Sequence, residues 1–332
     1  MEKTHLHDWA KEIARENNFE LGKIIYQGEY YSPDKIRNVI FEGIYQSKPA
    51  VLKIYDDPRL TDEGAALAQF NKENKSEILI APQVYAYKAI NSKKGWLIME
   101  KLPANGYFLT QPLEKEKRGD FLKFYLEYRK NLSQSPTRPL NLSENLPAHE
   151  FHTFRIGRWL QLANDKEADT RVKGELPILE PKEFIPRFER GLGLVRNEFK
   201  RRKMTWCHGH FKPHEIFEVP EKEVYYLTDF AHLKMYPQGY ELGFIIWADW
   251  IMSADWRLDY SVWRQGIDEW TDEFEKIKSQ LNLDDFSSLM KASLMERVLG
   301  TILVDVCAAE RPREEKEIRI SLLYKLLDEL LV

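Results

Sequence analysis

For its first hundred residues this chain repeats with the period of a pleated strand, and after Pro103 it repeats with the period of a helix. The runs "FELGKIIYQ", "RNVIFEGIY" and "KPAVLKIYDD" are rich in β-branched and aromatic residues and are broken by turn residues. They predict an antiparallel meander. "TDEGAALAQFNKEN" follows as a helix, with Thr61 as its expected N-cap. "QVYAYKAI" and "GWLIMEKL" complete five strands, and residues 5–17 predict a short surface helix with Leu6, Trp9, Ile13 and Ala14 on one side. Beyond Pro103, "EKRGDFLKFYLEYRKNL", "EFHTFRIGRWLQLAN", "KEFIPRFERGLGLVRNEFKRRK" and the closing "ISLLYKLLDELLV" are helical. "SQSPTRPLNLSENLP" reads as a loop, and short strand-like pieces lie around Ile216 and in "VYYLTDF". Strands first and helices afterwards is an α+β order, not a doubly wound one. It divides the chain into a β-rich lobe with a leading helix, 1–102, and a larger helical lobe, 103–332.

Composition excludes several classes. The formal net charge of -4 lacks the basic excess of a nucleic-acid binder. Cys207 and Cys307 are too few for a disulfide framework and favour a reducing compartment. No apolar run reaches the roughly 20 residues of a membrane span. The N-terminal stretch has no apolar signal core. A cytoplasmic protein without membrane or nucleic-acid partners is expected.

Four charged residues invite chemistry. Lys53, inside the apolar run "AVLKIY", points either to solvent, the usual fate of lysine, or into a cleft. Glu63 opens the next helix, where an acid also favours the helix N-terminus. Glu63, or else Glu73 further along, can pair with Lys53 and present a fixed positive charge to phosphate oxygens. Asp229, just after an apolar strand, suits a hard cation such as Mg2+, although aspartate is common in turns there. Five of the nine tryptophans lie between Trp247 and Trp270, and Trp256, Trp263 and Trp270 recur every seven residues. With Asp249, Asp255, Asp259, Asp268 and Glu269 interleaved, the segment is either a core stripe with a solvated acidic face or a site for an organic cation.

In this order the motifs resemble the aminoglycoside phosphotransferase and choline kinase branch of the protein-kinase-like fold. The resemblance runs from about residue 18 to the C-terminus. It implies a two-lobed structure with a five-stranded antiparallel sheet and a mainly helical second lobe. "AVLKIY" is similar to the strand bearing the phosphate-binding lysine, here Lys53, with Glu63 as its partner. "WLIMEKLP" resembles the hinge, whose backbone from Glu100 to Leu102 is expected to hold a purine edge. "TDFAH" resembles the metal-binding motif and gives Asp229 that role. In "YPQGYELG", Glu241 stands where an acid steadies the catalytic loop. The implied cofactors are ATP or GTP with Mg2+. The implied acceptor is a small hydroxyl-bearing molecule, cationic in the choline-like and aminoglycoside-like cases.

The catalytic loop departs from the family pattern H-G-D-x-x-x-x-N. In "TWCHGHFKPHEIF", His210 replaces the aspartate that accepts the hydroxyl proton, and Glu215 replaces the metal-binding asparagine. The phosphate loop "YQGEYYSPDKIRN" has a single glycine, Gly28. Two readings stand side by side. In one, imidazole serves as the base near neutral pH and Glu215 with Asp229 holds the metal. In the other, the protein is an inactive nucleotide-binding pseudokinase or interaction module. A third class, zinc on Cys207, His208, His210, His214 and His232, fits no common structural zinc spacing.

Overall fold

In the computed structural model, residues 5–29, 36–57, 60–132, 150, 155–157, 160, 181–305 and 311–332 are described. Helix α1 (His5–Glu16) precedes strands β1 (Phe19–Glu29), β2 (Ile36–Tyr45) and β3 (Lys48–Asp56). Helix α2 (Glu63–Glu73) is followed by β4 (Leu79–Ile80), β5 (Val84–Ala89) and β6 (Lys94–Glu100). The five long strands form one antiparallel sheet in the order β1-β2-β3-β6-β5, as the β-periodic runs predict.

Strand parity decides what β3 shows to each side, because successive side chains point to opposite faces. Ala50, Leu52 and Ile54 join Leu6, Ala10, Ile13 and Ala14 of α1 in one apolar cluster. Lys53 and Tyr55 therefore face the other way. Tyr55 packs with Leu60 and with Ala231, which lies far along the chain. A one-residue slip would turn Lys53 onto α1, so the α1 packing fixes the register that aims the lysine. Thr61 does not cap α2. The N-cap is Asp62, and the Thr61 hydroxyl donates instead to the Asp57 and Ser92 carbonyls.

Among the described residues the rest of the chain is mainly helical, with short strands between the helices. It comprises β7 (Tyr107–Phe108), α3 (Lys115–Asn131), α4 (Pro181–Lys200), β8 (Met204–Cys207), β9 (Ile216–Val219), β10 (Val224–Leu227) and β11 (Lys234–Pro237). Helices α5 (Tyr240–Ile246), α6 (Tyr260–Ile277), α7 (Phe286–Gly300) and α8 (Arg313–Leu331) close it. β9 and β10 pair antiparallel, and β10 also takes β4 as a parallel neighbour through Tyr225↔Leu79 and Tyr226↔Ile80. That pairing ties the segment after α2 to the strand that leads into Asp229. Phe70 of α2 packs on Phe230 at 4.9 Å between ring centroids, which adds a side-chain tie at the same place. The loop expected over 133–147, Cys307 and most of the helix expected over 150–164 lie outside the described residues.

The tryptophan segment is core. Trp263 and Trp270 are buried on α6, whereas Trp256 sits in a turn before the Asp259 N-cap, so no continuous helix carries all three. The cation among these rings is the chain's own. The Arg118 guanidinium lies 5.3 Å from the Trp250 ring and 5.1 Å from the Trp270 ring, and it pairs with Glu269 at 3.2 Å. Asp249, fully buried in a wide turn after α5, accepts from Leu113 N–H and from Trp270 Nε1–H, both at 2.9 Å. Asp249→Ala leaves two buried donors without their acceptor. We expect a loss of about 2–4 kcal/mol in chemical denaturation, with the far-ultraviolet spectrum of the native state unchanged. A loss near zero would show that neither bond constrains the fold.

Candidate active site

A lysine buried in a strand needs an acid. Lys53 Nζ lies 2.5 Å from Glu63 Oε2, and both side chains are nearly inaccessible. Burial opposes the ammonium charge, but the Glu63 and Asp229 carboxylates together hold Lys53 above its ordinary range. Glu73 lies elsewhere on α2 and accepts from Gln69. Across the cleft, Asp229 follows β10 in a left-handed backbone conformation, φ 56° and ψ 59°. Such a conformation is uncommon outside glycine, though aspartate tolerates it better than most residues. A short 3-10 turn, Phe230–His232, follows directly.

The altered loop is held from behind. β8 pairs with β11 and delivers His208, Gly209 and His210 to the cleft. Gly209 has φ +77°, and a Cβ there would sit 2.5 Å from the His232 carbonyl oxygen. Only glycine meets both demands without strain. Gly209 N–H donates to Glu241 Oε1 at 3.2 Å, and Tyr128 donates to the same oxygen. Arg129 pairs with Glu241 at 3.6 Å. Glu241 thus sits behind the loop, at the position the resemblance implied. His208 is fully buried, and its Nε2–H donates to the Thr228 carbonyl at 2.8 Å. Burial pushes its imidazole down to about 4.

His210 Nδ1 lies 2.8 Å from Asp229 Oδ2. Burial acts against the Asp229 charge, but His210, His232 and Lys53 outweigh it and hold the carboxyl well below the usual range. Burial also lowers His210 below its ordinary value, against the pull of Asp229. At neutral pH the ring is therefore neutral and the carboxylate charged. Nδ1–H donates to Asp229, and Nε2 keeps the lone pair. The His210 ring is stacked between His232, at 3.6 Å, and Phe244, at 5.2 Å. The sequence offered His232 only as a zinc candidate, and the signal for its place is its offset of three from Asp229 in "TDFAH".

Glu215 is held by Lys212, at 3.1 Å, and by the Thr228 hydroxyl, at 3.0 Å. Burial, assisted by the Asp229 charge, pushes its carboxyl up to about 7. In the hinge stretch, Glu100 N–H donates to the Gln83 carbonyl at 2.8 Å. The Glu100 side chain takes Gln83 N–H and the Tyr226 hydroxyl. Those bonds consume the Glu100 donor, while Leu102 packs beside Phe217, Val219 and Tyr226. The zinc candidates do not converge. Cys207 is buried beside Arg129, its thiol pushed up to about 12 by burial and by Glu241, and His214 packs on Phe108. Only His210 and His232 of that set come together, and they do so with Asp229.

A five-stranded antiparallel sheet over a helical lobe, with a buried lysine–acid pair facing a carboxylate across the cleft, is the protein-kinase-like architecture. The chain belongs to the phosphotransferase enzyme family, whose model matches residues 37–274. Solved structures agree on the fold. An ethanolamine kinase of Plasmodium vivax is 14% identical with a TM-score of 0.62, covering 97% of this chain and 88% of that one. The choline kinase LicA of Streptococcus pneumoniae is 12% identical with a TM-score of 0.59, covering 98% and 99%. A thermostable aminoglycoside phosphotransferase mutant in a ternary complex with ADP and hygromycin B is 12% identical with a TM-score of 0.55, covering 95% and 97%. No curated protein matches the chain in sequence.

The Glu215 environment has a measurable consequence. A carboxyl raised in the folded state binds more protons than the unfolded chain between about pH 4.5 and 7. Its stabilising contribution is full below that window and is lost as pH rises through about 7. In metal-free protein, Glu215→Gln should therefore gain a few degrees in Tm relative to wild type between pH 5 and pH 8. Thermal melts in chelator check this, and a Tm difference independent of pH would contradict it.

Proposed function

We propose that this protein transfers a phosphoryl group from ATP or GTP to a hydroxyl of a small molecule, with His210 in the role of general base. The observation that carries the reading is the His210–Asp229 hydrogen bond. It fixes the imidazole tautomer and leaves Nε2 free to take a hydroxyl proton. Lys53, fixed by Glu63, supplies a positive charge for phosphate oxygens. The nucleotide lies between lobes 1–102 and 103–332. Its base edge reads the hinge main chain near Leu102, since the Glu100 N–H is already used.

Asp229 and Glu215 suit Mg2+ by donor type, being oxygen ligands with a net negative charge. Asp229 has its Oδ1 beside the oxygen that His210 engages, and Glu215 can exchange its Lys212 and Thr228 partners for a cation. When bound, the metal neutralises phosphate charge. The chain's own residues orient the base, place the lysine and keep the loop rigid. The acceptor is a small hydroxyl-bearing molecule. A cationic acceptor finds no support in the tryptophan cluster, whose cation position Arg118 fills.

The hold of Lys212 and Thr228 on Glu215 favours a second reading, a nucleotide-binding module without turnover. One assay separates the two. Nucleotide-dependent phosphorylation of a panel of amino alcohols and aminoglycosides should fall about 10²-fold or more in His210→Ala. Its rate should also decline as pH drops below the ordinary histidine range, because a protonated imidazole accepts no proton. Turnover indifferent to His210→Ala would remove the base role. Nucleotide binding without turnover on any acceptor would favour the inactive module.

A further inference from the structure

The geometry points to a binding site for one Zn2+-class divalent cation formed by His210, Asp229 and His232 on the cleft floor. Their ligand atoms all lie within 4.8 Å of one another. Zinc–nitrogen and zinc–oxygen bonds of about 2.0–2.2 Å place neighbouring ligand atoms roughly 3.3 Å apart. Closing from the present spacing requires the His232 imidazole, now stacked on His210 at 3.6 Å, to turn until its ring nitrogen converges with the other two ligand atoms. Two imidazoles and one carboxylate favour zinc, cobalt or iron(II), whereas Mg2+ favours oxygen ligands alone.

The backbone builds the cluster. Side chains three apart eclipse in a 3-10 turn, so the left-handed Asp229 and the turn after it bring Asp229 and His232 to one side. Gly209, at φ +77°, delivers His210 over them. Phe244 backs the His210 ring and fixes its plane. The His210 and Asp229 side chains remain 30% and 27% exposed, which leaves a coordination position open to the cleft for water or a phosphate oxygen. The surrounding charges are mixed. Lys53, Lys212 and Arg155 act against a cation, while Glu215 and Glu63 act for it.

A neutral imidazole has one lone pair. Once His210 gives it to a metal, none remains for a hydroxyl proton, so zinc occupancy and base action exclude each other. That consequence, an inhibitory metal, rests on the proposed phosphotransfer. The site itself does not.

The test uses purified full-length protein, stripped with chelator, with neither nucleotide nor acceptor. Zn2+ titrated by calorimetry should bind with one-to-one stoichiometry. His232→Ala should weaken it by at least roughly tenfold while leaving Mg2+ binding unchanged. Bound Co2+ should show visible absorption that is lost in the same variant. If His232→Ala does not fold by circular dichroism, His232→Gln replaces it with the same expectation. Equal Zn2+ affinity in wild type and the folded variant, or Zn2+ binding abolished by Cys207→Ser instead, would overturn the proposal. Because no turnover is measured, failure here leaves the phosphotransfer reading standing, and failure of that reading leaves this site standing.

Discussion

The ion pair between Lys53 and Glu63 is the constraint on which the rest of the cleft depends. An ammonium group buried without an acid is costly enough that the chain would place it elsewhere. Here the pair joins the central strand of the sheet to α2, and Asp229 adds its field from the other lobe. Two consecutive elements and one distant in sequence are thereby held to one electrostatic arrangement. Such a pair is weak evidence for stability, since apolar residues of similar volume often serve as well. What the pair does supply is a positive charge held at the cleft and kept from swinging into water.

The opposite wall is organised around two carboxylates with separate tasks. Glu241 is buried behind the loop and gathers Gly209 N–H, Tyr128 and Arg129, so the backbone that carries His210 has a fixed course. Asp229 faces forward and engages the imidazole itself. Where the family pattern places an acid, this chain places a histidine, and it becomes part of a ring stack with His232 and Phe244. The substitution is therefore packed and hydrogen-bonded, not an isolated change at the end of a loop. Glu215 is likewise held, by Lys212 and Thr228.

Much of this was legible in the sequence because it rests on local period. The alternation in "KPAVLKIYDD" marks β3, and the apolar spacing of Leu6, Ile13 and Ala14 marks the helix that covers it. Once β3 is placed, parity puts Lys53 opposite Leu52 and Ile54, and Glu63 follows at the start of the next helix. What escaped the sequence depends on tertiary contact. The two-residue β4 has no periodic signal, and its parallel partner β10 lies far along the chain. The short strands β8 and β11, four residues each, are likewise too brief to carry a period. The seven-residue spacing of Trp256, Trp263 and Trp270 suggested one helical stripe, but α6 begins after Trp256. Arg118 answers those rings from α3, which no spacing within the tryptophan segment reveals. Thr61 was a reasonable cap by residue type, and the competing carbonyls of Asp57 and Ser92 took its hydroxyl.

The central claim is that the charge at Lys53 binds nucleotide phosphates. Removing the lysine alone would strand Glu63, so the informative variant is Lys53→Met with Glu63→Gln, which removes both charges and keeps the volume. Calorimetric titration of ATP and GTP in the presence of Mg2+, on wild type and on this double variant with its fold checked by thermal melting, measures the claim directly. The account predicts nucleotide binding by wild type and a loss of at least roughly tenfold in affinity in the variant, equivalent to about 1.4 kcal/mol. Equal affinity in the two proteins would contradict it.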